Sequence, residues 1–194
     1  MTMRSRIASL VILTVLAGSA MAAESTLTLD PAASRITFTL QATLHQVDGS
    51  FDLTSGEIRF DPETDSASGR VVVDARSADT DNAKRDKKMH ETVLRSAEYP
   101  LILFEPTSFE GKLSPQGSSE LQVEGIMQLL GAKHTLAFPL EVSIDQGEVR
   151  VRGGFAVPYV EWGLTDPSAF VLRVGKVVDV SFEFAGLLDP AADE

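Results

Sequence analysis

Three histidines, His45, His90 and His134, are the side chains of this sequence most suited to a metal. Three imidazoles leave a tetrahedral zinc ion one open position, where bound water becomes a hydrolytic nucleophile. A metal-dependent enzyme is therefore one reading. No H-x-H or H-x-x-x-H pair links any two of them, so the competing reading is three unrelated surface or loop histidines. A second cluster is Arg85-Asp86-Lys87-Lys88. Guanidinium matches oxyanions in bidentate geometry, so Arg85 with Lys87 and Lys88 suits a phosphate head group. The preferred role is structural, with Arg85 or Asp86 tying its segment to the rest of the fold. Acid pairs such as Asp61 with Glu63, or Asp79 with Asp81, have the look of a glycosidase dyad. They fall in turn-like segments of an acid-rich chain and are set aside. There is no G-x-S-x-G elbow, no Gly-rich phosphate loop and no cysteine, which removes thiol chemistry, disulfides and Cys-based metal sites. No residue stands out as catalytic.

The elements that position these residues fall into two kinds. Thr80 to Ala97 has few strand formers and neither Pro nor Gly. Asp81 with Arg85, Asp86 with His90 and Glu91 with Arg95 place acid before base at i, i+4, which favours a helix. Asp81 or Asn82 is the expected N-cap, and Met89, Val93, Leu94 and Ala97 form a narrow apolar stripe. Tyr99-Pro100 stops the helix, and Leu101 to Phe104 begins a strand.

Elsewhere apolar residues alternate. Ile36, Phe38, Leu40, Ala42 and Leu44 share one face of a strand over Arg35–His45. Asp48-Gly49 reads as a turn, Phe51 to Asp61 as the next strand, Ser66 to Gly69 as a polar connection and Arg70 to Ala75 as a third strand. Later faces carry Leu121, Val123, Met127 and Leu129; Leu136, Phe138, Leu140, Val142 and Ile144; Val149, Val151, Phe155 and Val157; and Val178, Val180, Phe182 and Phe184. With Leu27–Leu29, about eight or nine antiparallel strands result, and their apolar faces demand a sandwich or a closed barrel. Phe38, Leu40, Leu44, Phe104, Met127, Leu129, Phe138, Leu140, Trp162 and Phe182 are the candidates to line a cavity or fill a dry core.

Residues 1–22 read as a secretory signal peptide. Arg4 and Arg6 precede an apolar run from Ile7 to Ala17, too short to span a bilayer, and Ala20-Met21-Ala22 supplies the cleavage site. No later apolar run exceeds strand length, so no membrane span is expected after cleavage. Residues 23–188 make one domain, and residues 189–194 an acidic tail. The net charge of −11 argues against nucleic acid as a partner.

Taken together, the motifs resemble one family. Thr80-Asp81-Asn82, Arg85-Asp86-Lys87-Lys88-Met89 and Tyr99-Pro100-Leu101-Ile102-Leu103-Phe104 look like the T-x-N-x-x-R-D-x-H-L … Y-P-x-I-x-F core of YceI-like proteins, with Lys88-Met89 where many members carry His-Leu. Ser34-Arg35-Ile36-Thr37-Phe38, Gly56-Glu57-Ile58-Arg59-Phe60-Asp61-Pro62 and Gly125 to Gly131 resemble the family's other segments in order and spacing. The resemblance implies an all-β, antiparallel, lipocalin-like barrel of about eight strands, with one helix inserted around residues 80–97. It also implies a periplasmic carrier of a polyisoprenoid or other long-chain amphiphilic lipid, with no catalysis and no cofactor beyond that lipid. Some of the inward apolar residues then border the ligand, with Arg85, Lys87 and Lys88 near its head group.

Overall fold

The computed structural model describes residues 24–43, 45–168 and 173–189. The expected signal peptide, Leu44 and the tail beyond Asp189 lie outside the described residues. Among the described residues nine strands form one antiparallel sheet: β1 (Ser25–Leu29), β2 (Arg35–Ala42), β3 (Gln46–Asp61), β4 (Ser66–Asp79), β5 (Leu101–Glu110), β6 (Gly117–Leu129), β7 (Ala132–Asp145), β8 (Glu148–Val157) and β9 (Val174–Asp189). The sheet closes because β4 pairs with β3 as well as with β5.

Between β3 and β9, β1 and β2 lie end to end and antiparallel to both. They form one interrupted stave, so the wall has eight staves made of nine strands. The interruption is a single 3-10 turn, Pro31–Ala33. Asp30 caps it by accepting from the Ala32 N–H at 2.9 Å, and the Ser34 hydroxyl donates to the Asp30 carbonyl at 2.7 Å. At the far end of this stave Thr26 pairs with Asp189, so the last strand includes the first residue of the expected tail.

Several strands are longer than their alternation suggests. The Asp48-Gly49 pair lies inside β3, not in a turn: Phe38 is opposite Gly49, and a Cβ on Gly49 would collide with the Phe38 ring. Ser66 to Gly69 likewise belong to β4, paired with β3 from Ile58 to Asp61. The turn there is Pro62–Asp65, where the Asp61 carboxylate accepts from the Glu63 N–H and the Thr64 hydroxyl. Those two hydrogen bonds, Glu63 first, hold the Asp61 carboxyl below its ordinary range. Between β6 and β7, Leu130 and Gly131 take positive φ values of 49° and 77°, the geometry of a two-residue hairpin turn.

The helix is shorter than Thr80–Ala97. An α-helical part, α1 (Ala83–Lys88), widens into a π turn over Met89–Val93, closed by the Leu94 N–H on the Met89 carbonyl at 2.8 Å. Asn82 is the cap and accepts from the Arg85 N–H, whereas Asp81 sits before it at φ 59°. Arg95, at φ 47°, ends the segment. The charges do not form the three expected pairs. Lys87 meets Glu91 and Arg95 meets Glu98, because Asp86 and His90 are turned inward to other partners.

Short turns after β3, β5 and β7 close one end. The helical segment and the 158–168 stretch that follows β8 lie at the other, together with the tight turn after β6.

Candidate functional site

The barrel is hollow. Its lumen has two chambers in series. The upper, about 560 Å³, lies beneath the helix. The lower, about 190 Å³, reaches the short-turn end and is lined wholly by apolar residues. Ile36, Val73, Ile102, Met127, Phe155 and Val180 border both and form the ring where they meet. The upper volume falls in the range of small-molecule sites.

The roof of the upper chamber explains the helix's composition. Met89, Val93 and Leu94 turn inward and border it, so the narrow apolar stripe covers the lumen. The 158–168 segment supplies the other half through Tyr159, Leu164 and Pro167. Tyr159 is buried and donates its hydroxyl to the Gly175 carbonyl at 2.8 Å. Burial, and then the charge of Asp166, push its phenol up to about 12. The two halves are joined where Lys88 Nζ donates to the Pro167 carbonyl at 2.8 Å.

The Thr80-x-Asn82-x-x-Arg85-Asp86 motif builds the joint between β4 and the helix. The Thr80 hydroxyl donates to Asp86 Oδ1 and accepts from Arg85 Nε at 2.6 Å; Arg85 Nη2 also donates to the Thr80 carbonyl at 2.6 Å. The Thr80 N–H donates to the same Asp86 oxygen at 3.1 Å. Burial raises the Asp86 carboxyl, but hydrogen bonds from Thr80 and Asn82 and the Arg85 charge outweigh it and hold the group below its ordinary range. Arg85 is thus a structural tie and also borders the upper chamber.

Of the apolar candidates, Phe38, Leu40 and Leu129 border the upper chamber, Phe104, Phe138, Leu140 and Phe182 the lower, and Met127 both. Leu44 lies outside the described residues. Trp162 borders neither chamber: its indole stacks on the His134 ring at 4.1 Å and 3°. His134 lies near the start of β7, opposite Met127 on β6. Of the basic candidates, Arg85 and Lys88 border the mouth, whereas Lys87 points to Glu91 on the exposed face. Lys84 takes the place expected of Lys87. Phe155, Val73 and Val180 border the lumen as well, and alternation marks them only as inward.

The histidines occupy three separate settings. His45 borders the chamber mouth. His90 Nε2 donates to the Ala78 carbonyl at 2.9 Å, leaving Nδ1 to accept from the Ser96 hydroxyl at 3.0 Å. His134 stacks on Trp162, with its Nε2 buried and unpartnered among the described residues. No group of three or more His, Asp or Glu side chains converges among the described residues to hold a metal.

Comparison with known proteins agrees with this architecture. The YceI-like domain model matches residues 27–185. UPF0312 proteins of Vibrio cholerae serotype O1 are 33% identical over 87 residues, 44% of this chain and 44% of each relative. The match thus spans less than half the length of these curated relatives. Among solved structures, Burkholderia cenocepacia BcnA superposes with a TM-score of 0.70 at 16% identity, covering 81% of this chain and 98% of that one. A polyisoprenoid binding domain from Saccharophagus degradans, implicated in plant cell wall breakdown, gives 0.69 at 18%, covering 84% and 98%. A Campylobacter jejuni YceI protein gives 0.58 at 14%, covering 78% and 88%. At these identities the likeness is one of fold.

Proposed function

We propose, since the chain belongs to the YceI-like domain family, that it binds and carries a polyisoprenoid or similar long-chain amphiphilic lipid inside its barrel, without catalysis. The observation that carries this reading is the lumen itself: an apolar path from the helix to the opposite end, with Lys84, Arg85 and Lys88 at its mouth. Transfer of an apolar chain into such a path is driven by about 0.8 kcal/mol per methylene buried. The cations suit an anionic head group, and Arg85 is already oriented by its bonds to Thr80. Two relatives in fold support the reading by what they are, a polyisoprenoid binding domain and a YceI protein. The leader-like residues 1–22 support work in the periplasm after cleavage following Ala22.

The test is organic extraction of protein purified from its own periplasm, followed by mass spectrometry of the extract and N-terminal sequencing. A stoichiometric long-chain lipid and an N-terminus at Ala23 are the expected results. Protein saturated with zinc and free of lipid would overturn the carrier reading.

A further inference from the structure

The two chambers differ in a way that bears on which lipids fit. The lower one, at about 190 Å³, has no polar lining residue, and at its far end Leu113 from the 111–116 turn and Phe109 close around it. A cavity of this size and lining stays dry. Its walls therefore lack partner atoms on the inner side, and a hydrocarbon tail gains dispersion contact there without displacing bound water.

What keeps this chamber open is a bare stretch of wall. Gly153 on β8 faces Phe182 on β9 and Leu140 on β7. A Cβ at Gly153 would stand 2.6 Å from Phe182 Cζ and 2.8 Å from Leu140 Cδ2. The Phe182 ring is thus recessed over the glycine backbone. It is held there by stacking on Phe184 at 4.7 Å and by edge contact with Phe138 at 5.9 Å. Phe138 and Phe184 line the chamber beside it, so a Phe182 ring pushed off Gly153 moves further into the lumen. Phe104 is recessed in the same way over Gly125, whose Cβ would come 2.5 Å from its ring. Gly125 also faces the Glu105 carbonyl at 2.6 Å, whereas at Gly153 the two nearest atoms are side-chain tips and the Pro139 carbonyl stands farther off, at 3.1 Å.

We infer that the lower chamber is a terminal pocket that sets the length of hydrocarbon tail this protein accepts, and that Gly153 is the residue that sets its depth by recessing Phe182. The inference rests on the carrier reading and specifies its ligand class: a single-chain amphiphile whose slender tail passes the Ile36–Val73–Ile102–Met127–Phe155–Val180 ring end-first. Longer tails than the pocket holds gain nothing further from added carbons.

The experiment is a titration of delipidated full-length mature protein with alkyl phosphates graded from octyl to hexadecyl, read by calorimetry. In the wild type, affinity climbs with each added methylene and then levels off once the tail reaches the chamber's end. In Gly153→Ala the levelling comes at a shorter tail, and losing burial of about two methylenes lowers affinity for the longest homologues about tenfold while leaving octyl phosphate unchanged. Gly153→Ala/Phe182→Leu restores the wild-type plateau. Circular dichroism and thermal melting verify the fold. Val142→Phe, which fills the same chamber from β7, carries the same expectation should Gly153→Ala not fold. An unmoved plateau, a loss uniform across tail lengths, or no rescue overturns the inference while leaving the carrier reading intact. Failure of every alkyl phosphate to bind the wild type overturns both.

Discussion

Thr80 is buried between two charged neighbours and bonds to both, as donor to Asp86 and acceptor from Arg85. The arrangement needs Asp86 ionised, since a protonated carboxyl loses much of what Thr80's two donors offer it. A carboxyl held below its ordinary value of 3.8 in the folded state stabilises that state fully above this value. The contribution is lost as pH falls through 3.8 and on through the lowered folded value. Urea denaturation at descending pH is expected to show a loss of stability in wild type that Asp86→Asn does not share. At neutral pH, Thr80→Val should cost about 1–3 kcal/mol, because both charged partners lose a buried hydrogen bond. At this scale the sequence was legible only in part. The Arg-Asp pair reads correctly as a tie, but its partner Thr80 lies five and six residues away, where the family motif marks it and local chemistry does not. Gly49 was misread for a plain reason: Asp-Gly marks a turn wherever local conformation decides, and here the Phe38 ring decides.

The helical segment is an element whose fold makes sense only against the barrel. Its α part is six residues, too short to persist alone. Its inner face depends on Leu94, Met89 and Val93 for adhesion. Leu94→Ala is expected to destabilise the protein by about 2–3 kcal/mol, the low end for buried leucine, because Leu94 borders a cavity on one side. Hydrogen exchange of the 83–94 amides should accelerate more than that of β6 or β7. Its length was overread from charge spacing, since i, i+4 pairs support a helix only where both partners stay on the surface. Asp86 and His90 do not. Strand existence was legible throughout, from period two. Strand ends were not, because a barrel stave continues through polar residues such as Ser66 and Ser68 while its neighbour's backbone remains within reach.

For the whole molecule, alternation left sandwich and barrel equal, since closure rests on the β3–β4 pairing and no local pattern encodes which edges meet. Resemblance supplied the barrel. Whether it was hollow was also beyond the residues themselves: Phe182 over Gly153 and a Phe filling a solid core have the same letter and the same inward parity. One further consequence follows from the pairing of Thr26 with Asp189. Both described ends of the chain stand at the pole opposite the helix, side by side. Cargo attached at either end therefore hangs beneath the vessel and leaves its opening clear. A fluorescent protein fused after Asp189 is expected to leave hexadecyl phosphate affinity unchanged. The same domain inserted between Glu161 and Trp162, in the roof, should reduce it sharply, and equilibrium titration of the two fusions side by side would tell. A chain leashed to a membrane or a solid support by its first strand would hold its mouth outward, presented to whatever delivers or collects the lipid.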